Sequence, residues 1–461
     1  MGCASSIPKR YNAGRRRRRK KQSILNEVAV YVPALWVPLA SDVVRPLRGL
    51  VSRDVLDRLS ALRGRIVSLA EENYLATVPT VSELLHALEE YLPILLGLAK
   101  KGLIFFSRAF YVLIPNEYLV IRCIVFIDNR LEALVEFKWK NLGDDQECCF
   151  SSAWYEVLSV VHMIAMLSLM EANLMLVPRN GQDACEMKVS EVIGYYFWAD
   201  SKKDVIDLLI KASGCLDYCA HHIIVHIPSQ IRKNLPNTFQ EGTLEAASIQ
   251  ALAQGVEMQL GLAIESEKAT LSVKRRLACE EVSYFSQAHY CLSGCDTSDA
   301  YGKKLLLFIK WKYLEAKAAA YYYHGLVLDK GSEPSNHISA VCCLCAADEL
   351  LIDSKRACLS FCLASPVTRV PPAWGVMKNL HKKVPDVARK KFQTYSYLIE
   401  QDKNALLHSL PDLPEFPLSL RSDAYELPQI DASWDSEDCQ PQIQSLKEHL
   451  KDDEDEIEAE Q

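Results

Sequence analysis

Residues 152–177 constrain the fold more than any other stretch of this chain. Trp154, Leu158, Val161, Ile164, Leu167 and Met170 leave the segment apolar on nearly every side. A helix apolar all round has to be surrounded, either by lipid or by other helices. The run is long enough to cross a bilayer. Glu156, His162, Glu171 and Asn173 interrupt it, however, and ionisable groups at membrane depth are costly. The expectation is therefore a central helix inside a helical body. With 461 residues, 49% of them hydrophobic, the chain has ample material for the core that such a helix requires.

The rest of the chain supplies the surrounding helices. Leu56, Leu59, Leu62, Ile66 and Leu69 mark one apolar face. Thr80-x-x-Glu83 reads as a capping box opening a helix through Leu84, Leu88, Tyr91, Leu95 and Leu98, with a kink expected at Pro93. Further helices are expected near 202–225, 243–292, 302–329, 335–363 and 376–408. The stretch 243–292 is too long to bury itself, so it must form a hairpin or pack along neighbours. Strand signal is confined to Val28–Val32, stopped by Pro33, and to Leu134–Trp139. Pro411, Pro414, Pro417 and Pro428 make 409–430 an extended segment that wraps the helical body. Residues 103–129 mix aromatic and β-branched residues with Arg108, Pro115, Glu117 and Arg122. They fit a strand pair turning at Pro115-Asn116, a membrane-contacting loop or an inserted sequence, and no physical argument selects among these.

Charge is distributed unevenly. The formal net charge is −7, while nine cations in residues 1–22 leave the remainder near −16. Lys9 and Arg10 precede an unbroken run of Arg15, Arg16, Arg17, Arg18, Arg19, Lys20 and Lys21. Before them stands Met1-Gly2-Cys3-Ala4-Ser5-Ser6, in which Gly2 fits the N-myristoylation pattern and Cys3 offers a palmitoylation site. One myristoyl chain binds only marginally, at about 0.8 kcal/mol per buried CH₂, so stable anchoring needs a second signal. A second acyl chain and the basic run are both at hand, each cation adding roughly 1 kcal/mol against an anionic cytoplasmic leaflet. The expectation is a body held on the cytoplasmic face of a membrane, with the basic run contacting lipid and not nucleic acid. The acidic residues of 435–461 read as a solvated tail.

No chemistry-bearing motif stands out. There is no GxxxxGK[ST] phosphate loop, no GxSxG elbow, no HExxH and no paired-cysteine zinc spacing. With no secretory segment, the sixteen cysteines are expected as reduced thiols. Cys148-Cys149 and Cys342-Cys343-x-Cys345 are expected on helices as small core hydrophobes. Cys215, Cys219, His222 and His226 share one face of a helix but span about 16 Å at 1.5 Å per residue, too far for one tetrahedral zinc. Neither a metal, nor a cofactor, nor catalysis is expected.

Longer stretches of text do point to a family. Leu252-Ala253-Gln254-Gly255-Val256-Glu257, the run from Ala269 to Ala278 (ATLSVKRRLA), and the run from Lys310 to Leu326 (KWKYLEAKAAAYYYHGL) resemble the middle of the Bro domain of ALIX-type and BROX-type endosomal adaptors. The likeness is nearest to plant-type single-domain members. These share the Met-Gly-Cys start, Trp154-Tyr155-Glu156-Val157-Leu158 and the ending Leu427-Pro428-x-x-Asp431-Ala432-Ser433-Trp434. It covers roughly residues 24–434, flanked by the basic segment 1–23 and the acidic tail 435–461, and against it 103–129 stands as an insertion.

The resemblance implies a mainly α fold, a boomerang-shaped helical solenoid with a tetratricopeptide-like core and a small N-terminal β-element. It implies a non-enzymatic adaptor of endosomal or multivesicular-body sorting. Its partner would be the C-terminal amphipathic helix of the main filament-forming ESCRT-III subunit. By the same resemblance, anchored on Ala212-Ser213-Gly214 and on 252–278, the pocket falls on Lys203, Leu260, Val273 and Leu277. The acidic neighbour usual four residues before the lysine is Ala199 here, with Asp200 beside it. Val273 and Leu277 are i, i+4 and therefore adjoin on one helical face. A groove of apolar anchors with a basic rim suits an amphipathic acidic helix. Tyr323 matches a tyrosine that is phosphorylatable in relatives, although three consecutive tyrosines on a helix favour packing. The alternative to this reading is a helical scaffold for another membrane-associated partner, with the pocket degenerate.

Overall fold

The computed structural model describes residues 22–70, 77–112, 131–177, 191–370, 376–401 and 410–435. Gly2, Cys3, the basic run Arg15–Lys21, most of the insertion (113–130) and nearly all of the acidic tail (436–461) lie outside the described residues.

The all-round apolar segment forms α4 (Ala153–Leu176), numbering the helices from α1 (Val44–Leu47), α2 (Arg53–Leu69) and α3 (Val78–Val112). Ser152 caps it, its hydroxyl accepting from the Tyr155 amide at 3.3 Å. By length and hydropathy α4 is one of two described helices that could cross a membrane, and 89% of its most apolar window is buried inside the protein. α3 packs on one side of it and α5 (Glu191–Tyr218) on the other.

After α6 (Ser229–Arg232), long helices follow in antiparallel succession: α7 (Glu241–Glu265), α8 (Leu271–Leu292), α9 (Ala300–Leu328), α10 (Pro334–Leu363) and α11 (Met377–Gln401). Contacts run along chain order, from α3–α4 and α4–α5 through α5–α7 to each successive pair up to α10–α11. The result is a mainly α solenoid. The long stretch 243–292 resolves into the α7–α8 hairpin, turned at 266–270. A large core surrounds α4, and a smaller one lies between α7, α8, α9, α10 and α11 around Leu260, Ala319, Leu344 and Leu380.

The β-elements differ from the sequence reading. β2 (Trp36–Pro38), β3 (Phe137–Asn141) and β4 (Glu147–Phe150) form an antiparallel sheet in that order. β1 (Gln22–Glu27) pairs in parallel with β5 (Val367–Arg369). The alternating segment Val28–Val32 is not a strand. Residues 28–31 are buried, and three of their amides are taken by side chains: Asn173 Oδ1 accepts from Ala29 and Val30 at 2.7 and 2.8 Å, and Gln254 Oε1 accepts from Tyr31 at 3.2 Å. Cys148 and Cys149 lie in β4, not on a helix, and Cys149 is exposed. Thr80 does not cap α3, which opens at Val78; its hydroxyl donates back to the Thr77 carbonyl. Residues 103–112 continue α3 as helix, so the strand-pair reading fails for that half.

The proline-spaced segment 410–431 is extended and straps the helices, as its composition predicts. Glu280 Oε1 accepts from the Ser419 and Leu420 amides at 2.5 and 3.2 Å. The Tyr284 hydroxyl donates to the Leu420 carbonyl. Asp431 receives both Arg58 Nη groups at 3.0 and 3.1 Å. Trp434 ends the strap, its indole donating to the Ile94 carbonyl at 3.0 Å, and its ring lies so close to Gly97 that no Cβ fits there.

Candidate partner-binding groove

The α7–α8 hairpin positions three of the four residues that the resemblance implicates. Thr270 caps α8, its hydroxyl accepting from the Val273 amide at 3.3 Å, and so fixes Val273 in the first helical turn. Val273 is 45% exposed. Leu277, one turn on, is half-buried against the smaller core. Leu260, on α7, is wholly buried in that core and has no surface of its own to offer. It lies in the core of the hairpin, while Val273 is exposed and Leu277, Ile264 and Leu271 are half-buried against that core.

Lys203 is exposed on α5, whereas the lysine that reaches α7 is its neighbour Lys202. Lys202 is 7% exposed and its ammonium bonds Glu265 Oε1 at 2.7 Å, beside Gly261. A signal for this was present in the sequence. Lys202 stands three, four and seven residues before Val205, Ile206 and Leu209, which places it on the buried face of α5, and Lys203 one residue off that face.

Behind the groove lies a buried charge cluster that no sequence pattern announced. Lys312 of α9 bonds Glu257 Oε1 at 2.8 Å and Glu315 Oε2 at 3.1 Å, with its ammonium 4.7 Å from the Trp311 ring centre. Burial alone would lower the Lys312 ammonium, but Glu257 and Glu315 hold it above its ordinary value. Burial raises the carboxyls of Glu257 and, more strongly, of Glu281, which also faces Glu257. The Lys312–Glu257 pair joins α9 to α7, and Glu281 of α8 is buried close by. Such pairs fix the relative placement of helices more surely than they add net stability.

Other candidate residues resolve as packing. Tyr323 is 4% exposed and stacks edge-on against Tyr322. Cys215, Cys219, His222 and His226 do not share a face, because α5 gives way to a π turn over Cys219–Ile223 that rotates the residues after it. Both cysteines are fully buried, and burial pushes the Cys215 thiol up to about 12. Exposed His222 stacks on Tyr218 and exposed His226 on Trp154.

A scan against protein-family models gives no match, and a comparison with curated protein sequences gives none either. Solved structures do match. One is an ALIX BRO1–CHMP4C complex, at TM-score 0.56 and 15% identity, over 88% of this chain and 97% of that one. The chain has the Bro1-domain fold. A second match is a crystal structure of ALIX with the SIVmac239 PYKEVTEDL late domain, at TM-score 0.54 and 16% identity over 88% of this chain. This chain spans about half the length of that longer ALIX chain, 50%. A third, described as a structural basis for endosomal targeting by the Bro1 domain, aligns at TM-score 0.48. The Bro1-domain likeness agrees with the helical solenoid.

Proposed function

We propose that this protein is a membrane-anchored, non-enzymatic adaptor that binds the C-terminal amphipathic helix of an ESCRT-III filament subunit in endosomal or multivesicular-body sorting. One observation carries the reading: the Bro1 fold includes the α7–α8 hairpin, and its cap turn leaves the apolar Val273 open to solvent above half-buried Leu277. The solved ALIX BRO1 domain of the same fold is in complex with the ESCRT-III protein CHMP4C. The α7–α8 groove accepts the apolar face of a helix, and Lys203 stands on the exposed side of α5.

Val273→Asp is the cleaner test of the groove, since an exposed side chain can be replaced with little effect on folding. We expect the variant to lose at least about tenfold in affinity for the ESCRT-III helix, the cost of removing an apolar anchor and burying a charge. Undiminished capture in a pull-down would refute the groove and leave a scaffold for some other membrane-associated partner.

The anchor is proposed from Gly2, Cys3 and the basic run Arg15–Lys21. Gly2→Ala is expected to move the protein to the soluble fraction, and Cys3→Ser to weaken its retention. If both variants still pellet with membranes at high salt, the anchor is elsewhere.

A further inference from the structure

The C-terminal end of α10 and the strand that follows it carry an apolar surface that the groove does not use. Leu359 is 63% exposed, Leu363 75% and Val367 38%. Leu359 and Leu363 are i, i+4 and adjoin on one face, and Val367 follows in β5. Single exposed leucines are ordinary, but three large apolar side chains within nine residues make a patch.

The patch is held rigidly. Lys304 of α9 is buried beneath it and donates to the Ala364 carbonyl at 3.1 Å, to Thr368 Oγ1 at 2.9 Å and to the Pro366 carbonyl. Its ammonium also lies 4.7 Å from the ring centre of Phe361, which is fully buried. Thr368 faces inward, and its neighbours Val367 and Arg369 face out, as a strand requires. The leucines are therefore presented from a pinned turn and are not a frayed helix end.

Against this corner lies the root of the basic segment. β1 pairs with β5 so that Gln22 stands opposite Val367, one strand spacing away, about 4.8 Å. The Val28 amide continues the contact by donating to the Arg369 carbonyl at 2.9 Å. Residues 1–21, with nine cations and no acidic residue, thus join the body at the strand next to the patch. Around it Arg369 and Lys303 are exposed, and Glu27 is already paired with Arg369 at 2.8 Å.

We propose that this corner is a second membrane contact, in which Leu359, Leu363 and Val367 enter the interfacial region of the anionic bilayer that the N-terminal segment engages. The inference rests on the membrane-anchor reading and adds to it a fixed orientation of the body. A leash alone lets the solenoid tumble. A leash rooted beside an apolar wedge holds this corner of the body down. Cations from residues 1–21 supply attraction to anionic lipid, and the three side chains supply apolar burial, the two terms that sum in interfacial binding. A bilayer is a better-fitting occupant than a partner helix, because the nine cations of residues 1–21 join the body at the strand beside the patch.

The test uses the full chain made without acylation, and sedimentation with vesicles of phosphatidylcholine and phosphatidylserine. The double variant Leu359→Asp with Leu363→Asp is compared with the wild type and with a chain in which Arg15 to Lys21 are all changed to glutamine. Both leucines are exposed, so an unchanged thermal midpoint is expected and verifies folding. We expect the double variant to bind vesicles about tenfold more weakly, the loss of roughly two half-buried leucine side chains. In the wild type, amide exchange over 357–369 should slow on vesicles. Binding by the double variant equal to that of the wild type, with exchange there unchanged, overturns the wedge while leaving the anchor standing. Undiminished binding by the glutamine variant overturns the basic anchor instead, and wild-type protein that leaves vesicles unbound at low salt overturns both.

Discussion

Glu156→Ala is expected to destabilise the protein by about 3–5 kcal/mol, the cost of leaving a buried charge without its partner. Glu156 sits on the central helix α4 at 1% exposure and receives three donors. Arg63 Nε reaches Oε1 at 3.0 Å, the Tyr91 hydroxyl reaches the same oxygen at 3.2 Å, and Trp139 Nε1 reaches Oε2 at 2.6 Å. These donors come from α2, α3 and β3, so one carboxylate ties the small sheet to three helices. The alanine variant strands Arg63, itself 2% exposed, together with a phenol and an indole. Arg63 keeps carbonyl contacts at 2.6 Å to Leu39 and 3.5 Å to Lys138 and its place 5.6 Å from the Phe137 ring centre, but no carboxylate among the described residues. Adding Arg63→Met to Glu156→Leu should recover much of the loss, because removing both charges costs less than removing one. Urea midpoints measure both effects. A Glu156→Ala loss below about 1 kcal/mol would mean that the cluster is not closed to water.

Lys312→Met is the second large effect, also about 3–5 kcal/mol near neutral pH, and it carries a pH signature. Without the ammonium, Glu257, Glu315 and Glu281 are left facing one another in the interior. The carboxyls of Glu257 and Glu281 already lie above their ordinary 4.5 because of burial, and losing Lys312 raises them further. A carboxyl with a raised folded value takes up a proton on folding. Its unfavourable contribution is smallest below about 4.5 and grows as pH rises toward the folded value. The penalty of Lys312→Met should therefore shrink between pH 7.5 and pH 5. Denaturation midpoints of wild type and variant at both values decide it, and a penalty independent of pH would show that these carboxyls do not feel the lost ammonium.

Much of the architecture is legible in the residues because helix formation is local. The apolar run 152–177, interrupted by ionisable residues, reads as a helix enclosed by other helices, and α4 is one. The length of 243–292 demanded a hairpin, and the chain turns at 266–270. Four prolines ruled out regular structure in the strap. Where periodicity and burial separated, the reading failed. Val28–Val32 alternates like a strand, yet Asn173, 144 residues from Ala29, takes the hydrogen bonds that a neighbouring strand would have made. Cys148-Cys149 carries no periodicity, and only the pairing of β4 with β3 fixes its conformation.

The groove shows the same division. That Val273 and Leu277 adjoin follows from their spacing alone. That Val273 is open, Leu277 half-covered and Leu260 sealed depends on α9 and α11 packing behind the hairpin. The sequence by itself determined the succession of helices, the polarity of a basic head on an acidic body, and the text that resembles Bro domains. Only the tertiary structure decided which lysine of the Lys202-Lys203 pair meets Glu265, that Lys312 gathers three glutamates, and that the basic segment is rooted beside an apolar patch. Helix phase is set within a few residues, whereas burial, charge pairing and adjacency are set by partners dozens to hundreds of residues away, and no local pattern encodes them.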